Sequence, residues 1–259
     1  MKIKKSFWYC FLLTIGLVLQ TGYEQCKRFT VGGGPGTPKI REVFILVGQS
    51  NMVGDSAPPF VANQNIKIIG PTFPGETPKG PYGPGYAFAL DRLHRESTGE
   101  VVLVRCALGG SSISQWENGT GYLGNLSNQC IDSVLKSDYK DQVTVILFWQ
   151  GETDAFYSGN HFPWAQHFVG VVNKFRSALH SPTLPVVFCR LEANPGKSAI
   201  PDAPYYDNVV HEQELFSTLY AYRVDLSDLS LVQGWHGSQE QYAEVGRRME
   251  LTYDFRTDK

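Results

Sequence analysis

Ser50 and His236 are the two side chains whose types and settings suit covalent chemistry. Ser50 falls in Gly48-Gln49-Ser50-Asn51-Met52, directly after the apolar run 43–47. A buried strand ending in a tight glycine turn delivers the next side chain to the carboxyl edge of a parallel sheet, where open α/β folds keep their ligands. The competing reading makes Ser50 a helix N-cap, a role that serine also favours. His236, in Gly234-Trp235-His236, lies ahead of the last helical pattern. Its imidazole, with an ordinary pKa of ~6.5, suits proton transfer at neutral pH. Acyl transfer from an ester also needs donors aimed at the oxyanion of the tetrahedral intermediate. Gly109, in Ala107-Leu108-Gly109-Gly110-Ser111-Ser112, has no side chain to screen its N–H, and Gln150, in Gln150-Gly151-Glu152-Thr153-Asp154, offers an amide. Glu152 and Asp154 bring carboxylates to the same strand end; their structural alternative is to cap a helix or to bond the Ser50 turn.

The elements that must position these groups are legible as alternating patterns. Apolar runs at 43–47, 101–106, 143–149, 185–191 and 219–226 read as buried strands. Helical spacing of apolar residues recurs at 86–95, 126–135, 164–179, 208–217 and 239–253. Strand and helix in alternation predict an α/β fold with about five parallel strands, covered on both faces. Each polar cluster then falls just past a strand, on one edge. The Pro- and Gly-rich segment 55–84 reads as a long loop bordering the site.

Composition narrows the function classes. The chain has 259 residues, 42% of them hydrophobic, and a formal net charge of −2 with both signs interleaved. No basic stripe exists to neutralise a nucleic-acid backbone. Lys2, Lys4 and Lys5 precede an uncharged apolar stretch from 7 to about 19, the layout of a secretory signal. The organisation expected is a signal peptide over 1–22, a Gly/Pro-rich linker over 23–40 and one catalytic domain over 41–259. Export is the expected fate, with an uncleaved amino-terminal membrane anchor as the alternative, since a full bilayer span needs ~20 apolar residues. Cys26, Cys106, Cys130 and Cys189 could pair after export, in any of three ways. Buried free thiols are the other reading for Cys106 and Cys189. Sequons at Asn118 and Asn125 would mark a surface loop. His94, His161, His167, His180 and His211 lack a second ligand at metal spacing, so no metal site is expected. Trp116 and Trp235 are the aromatics best placed to line a sugar site.

Taken together, Gly48-Gln49-Ser50-Asn51-Met52-Val53-Gly54, Gly109-Gly110-Ser111 with Trp116, Trp149-Gln150-Gly151-Glu152-Thr153-Asp154, and His236 before Gly246-Arg247-Arg248 resemble the blocks of the SGNH hydrolases. Within that superfamily they are most similar to the sialate O-acetylesterase and acetyl xylan esterase group of carbohydrate esterases. The resemblance runs in order from about Glu42 to Met249. It implies a flavodoxin-like three-layer sandwich that removes acetyl groups from sugar hydroxyls without metal or cofactor, with an acetylated carbohydrate as partner. It also implies Ser50 as nucleophile, His236 as base, and the Ser50 N–H, the Gly109 N–H and the Gln150 side chain as oxyanion hole. One position departs. The family usually carries Asp three residues before the histidine, and this chain carries Gln233. Three accounts follow: a Ser–His dyad of reduced rate, a substitute acid such as Glu152 or Asp154 (with Asp225 and Asp228 further off), or a descendant that binds sugar without turning it over.

Overall fold

The structure is a computed structural model, and it describes residues 39–55, 57–73, 80–95, 98–119, 123–157, 163–192, 203–231 and 236–257. The expected signal, the expected linker up to residue 38, Cys26, His161, Gln233 and Trp235 lie outside these residues, and Ile40, expected as the linker's last residue, begins the first strand. Six strands form one sheet: β1 (Ile40–Gly48), β2 (Ile66–Ile69), β3 (Thr98–Arg105), β4 (Val143–Trp149), β5 (Val186–Cys189) and β6 (Ala221–Val224). Their order is β2-β3-β1-β4-β5-β6, and every pairing is parallel. Without β2, the order in chain sequence is the 2-1-3-4-5 of flavodoxin-like sheets. The sixth strand is a departure from expectation. Ile66–Ile69 spans only four residues inside the segment expected as loop, and it adds to the outer edge of β3.

Period-two alternation sorts the side chains into two cores. Val43, Ile45, Val47, Ile146, Phe148, Val186 and Phe188 face one layer, while Phe44, Leu46, Val145, Leu147, Trp149 and Val187 face the other. The first layer is covered by α3 (Ile113–Asn118), α4 (Leu126–Leu135), α6 (Trp164–Ala178) and α7 (Tyr206–Leu215). The second is covered by α1 (Ser50–Val53), α2 (Gly83–Leu93) and α8 (Gln239–Thr257), and the remaining short helix, α5 (Glu152–Phe156), follows β4. Cys106, at the end of β3, is disulfide-bonded to Cys130 on α4, and Cys189 is a buried free thiol. Closing that loop stabilises the fold by about 3 kcal/mol in the chain-entropy account.

Two devices seat α8, which follows His236. Gly246 lets it approach α2 closely, since a Cβ there would lie 2.6 Å from the Pro84 carbonyl oxygen. At the amino edge of the sheet, the Arg92 guanidinium forks onto Glu42 of β1 at 2.6 and 3.1 Å, and Arg95 reaches Glu250 of α8 at 2.9 Å. Arg247 and Arg248 bind Glu244 on their own helix, and Arg248 also binds Asp228. They serve the helix and the surface.

Candidate active site

The site is built at the switch point of the sheet, where β3 has been laid on one side of β1 and the chain then crosses to lay β4 on the other. The ends of β1 and β4 lie in register, Gly48 opposite Trp149. Gly48 has φ +143°, and a Cβ there would fall 1.9 Å from the Trp149 carbonyl oxygen, so only glycine lets the two strand ends meet. Backbone bonds then tie three strand ends together: Gln49 N–H to Trp149 C=O at 3.1 Å, Leu108 N–H to Gly48 C=O at 3.0 Å, and Cys106 N–H to Leu46 C=O at 2.9 Å.

Above this knot lies a cavity of about 330 Å³ lined by Gln49, Ser50, Asp55, Gly109, Gly110, Glu152, Thr153, Phe156 and His236. Ser50 is the first residue of α1, and Gln49 takes the N-cap position, so the serine hydroxyl is not consumed in capping. It makes no hydrogen bond to a described residue, and catalytic bonds in ligand-free sites often tighten only around substrate. A Cβ built on Gly109 would lie 4.0 Å from the Ser50 Cβ and 3.1 Å from Asp55 Oδ2, whereas one on Gly110 would meet nothing within 4 Å. Gly109 is thus the glycine packed against Ser50. Neither the Ser50 nor the Gly109 N–H donates to a described backbone acceptor.

Glu152 belongs to the lining and to the support of the serine. Its Oε1 accepts a 2.6 Å bond from Asn51 Nδ2, the residue after Ser50, and its Oε2 has no partner among the described residues. Burial pushes its carboxyl up to about 7, against the opposing Asn51 bond. Glu192, just past β5, is pushed up to about 8 by burial and by the charge of Glu152. A native carboxyl with a raised pKa binds more protons folded than unfolded, so stability is greatest below the unfolded value near 4.5 and is lost as pH rises through 7 to 8. The melting temperature should therefore fall between pH 5.5 and pH 8.5, and Glu192→Gln should flatten that slope. An unchanged slope in the variant would contradict the assignment.

The structure places several of the expected residues outside the cavity. Gln150, expected as an oxyanion donor, is fully buried and absent from the cavity lining. Its Nε2 gives its hydrogens to Asp154 Oδ2 and the Ser111 carbonyl, and its Oε1 accepts from Trp164 Nε1 at 2.9 Å. Asp154 is buried beside it and accepts from the Ile113 N–H at 3.1 and 3.2 Å, holding the start of α3. Trp116 is wholly buried, with Nε1 bonded to Ser111 Oγ at 2.9 Å, and is core rather than sugar platform. Asp225 caps the Ser227 N–H, and Asp228 is paired with Arg248. The Asn125 sequon is an N-cap whose Ser127 hydroxyl is buried against the Trp116 carbonyl, while Asn118 is exposed at the end of α3.

Gln49, Asp55, Thr153 and Phe156 line the cavity without having been singled out from sequence. Gln49 lies inside the Ser50 motif and Asp55 directly follows it, which was the available signal. No group of three metal-ligating side chains occurs among the described residues, and no described helix is long and apolar enough to cross a membrane.

A family model described as carbohydrate esterase, sialic acid-specific acetylesterase matches residues 72–254, a span that holds Gly109, Glu152 and His236 and starts after Ser50. An Arabidopsis thaliana protein described as a probable carbohydrate esterase is 26% identical over 177 residues, 56% of this chain and 67% of that protein. The X-ray structure of an Arabidopsis thaliana protein superposes with a TM-score of 0.68 at 24% identity, covering 85% of this chain and 99% of that one. A carbohydrate acetylesterase from Xanthomonas citri gives 0.57 at 19% identity, over 82% of this chain and 55% of that one. NanS gives 0.57 at 14% identity, over 86% and 100%. At these identities the solved structures carry the fold alone.

Proposed function

The chain belongs to the carbohydrate esterase, sialic acid-specific acetylesterase family, and from that premise we propose that it removes O-acetyl groups from a carbohydrate through an acyl-serine intermediate. The observation that carries this reading is that Ser50, Gly109 and His236 line one cavity at the carboxyl edge of the sheet. His236 takes the Ser50 proton as Oγ attacks the acetyl carbonyl, and the N–H groups of Ser50 and Gly109 hold the resulting oxyanion. Each such donor is worth roughly 3 kcal/mol of barrier. The imidazolium then returns its proton to the departing sugar oxygen, leaving acetyl-Ser50, and a water activated by the same imidazole hydrolyses it.

Among the acids, Glu152 is better read as support for Asn51 than as the partner of the imidazole. Its Oε1 is already committed, and its raised pKa leaves the buried carboxyl largely protonated below neutrality. Ser50 and His236 are the catalytic pair of this reading, and Asp55 is the other described carboxylate in the cavity lining. The Cys106–Cys130 bridge supports export to an oxidising compartment.

The test is chemical trapping. Mixed rapidly with an excess of an aryl acetate and quenched in acid, the protein should carry one acetyl group on the peptide containing Ser50. A product burst matching that occupancy is expected if deacylation is the slower step. Turnover with the acetyl group recovered on another residue would reject the mechanism.

A further inference from the structure

β6 ends two strands beyond β4, so three strand spacings separate it from β1. At about 4.8 Å each, that is roughly 14 Å. The sheet therefore fixes Ser50 at the end of β1 but does not by itself fix His236, which comes after β6 and must be brought back across the sheet edge.

The phenol of Tyr242 spans that gap. Tyr242 sits in the first turn of α8 with no exposed surface. Its O–H donates to Asn51 Oδ1 at 2.9 Å, with the Asp55 carbonyl at 3.1 Å as a second acceptor, and its oxygen accepts from the Gly237 N–H at 3.2 Å. Asn51 follows Ser50, and Gly237 follows His236. On its other side, Asn51 is held by Glu152 at 2.6 Å. Gly237 is fitted to the ring as well, since a Cβ there would lie 2.9 Å from Tyr242 Cε1. We propose that Tyr242 is a positioning residue that sets the separation of Ser50 and His236 by bonding the residue next to each, an inference that rests on the esterase reading above. Burial holds the phenol well above the ordinary tyrosine range, so it stays a donor at working pH. It is absent from the cavity lining, so it acts through its neighbours and not on substrate.

Misplacing a catalytic group by about 1 Å can cost on the order of 10²-fold in rate. Tyr242→Phe should accordingly lower kcat for an aryl acetate by about 10- to 100-fold with KM little changed. Because the variant also leaves buried polar groups unpaired, Val245→Ala serves as a control that weakens the same buried helix face without touching the bridge. Assayed well below both melting temperatures, Val245→Ala should keep its kcat. In a double-mutant cycle with Asn51→Ala the losses in kcat should be non-additive, since both changes cut one path. Tyr242→Phe with kcat within about twofold of wild type, or additive losses in the cycle, would overturn the proposal while Ser50-dependent turnover leaves the esterase reading standing. A wild-type protein inert toward aryl and sugar acetates, or turnover that survives Ser50→Ala, would remove that reading and this inference with it.

Discussion

Replacing Ser50 with alanine will lower kcat/KM for an aryl acetate by on the order of 10⁴-fold or more, because the nucleophile and its general base act as one unit and the loss of either removes nearly the whole covalent route. The melting temperature will move little. The hydroxyl bonds no described residue, Gln49 fills the N-cap position, and the turn is held by Gly48 and by backbone bonds that the substitution leaves intact. Rates measured beside thermal melts separate the two effects. A residual rate above ~1% of wild type, with the fold unchanged, would mean that Ser50 is not the nucleophile, since the oxyanion donors and the imidazole alone sustain far less.

The parts of this arrangement that were legible in the sequence are those governed by long, regular patterns. β4 and α4 occupy the predicted residues, 143–149 and 126–135, because a continuous apolar run in one and helical spacing in the other are long enough to read. β2 went unseen because four residues between Pro- and Gly-rich stretches show too little of a period. The helices Ser50–Val53, Ile113–Asn118 and Glu152–Phe156 are likewise too short to show one. Gln150 shows a different limit of sequence patterns. Its residue type suits an oxyanion hole, yet it continues the face of Ile146 and Phe148, and that face turns its amide toward Trp164 and away from the cavity. The buried place of Trp116 was hidden for a related reason, since a large aromatic with one N–H suits a core as well as a sugar surface, and here Ser111 Oγ accepts that N–H inside. The tie between Tyr242 and Asn51 joins residues far apart in the chain and leaves no trace in any local pattern.

Gln233→Asp should raise kcat/KM by about 10- to 100-fold, below the ~10⁴ by which a carboxylate surpassed a neutral amide at the equivalent place in a serine protease triad. The argument is electrostatic. Proton transfer from Ser50 turns the imidazole into an imidazolium, and a carboxylate at the position where the resembled family carries Asp would stabilise that cation as an amide cannot. KM should stay near wild type, because the gain belongs to the transition state. The gain must also vanish when Ser50→Ala is added. An active wild-type protein that gains nothing would show that an acid already serves the ring. Asp55 and Glu152 are the described carboxylates in the cavity lining, so Asp55→Asn and Glu152→Gln would then identify it by the larger loss. An inert wild type that becomes active as Gln233→Asp would instead mark the chain as a sugar-binding descendant whose catalytic frame persists one carboxylate short of turnover.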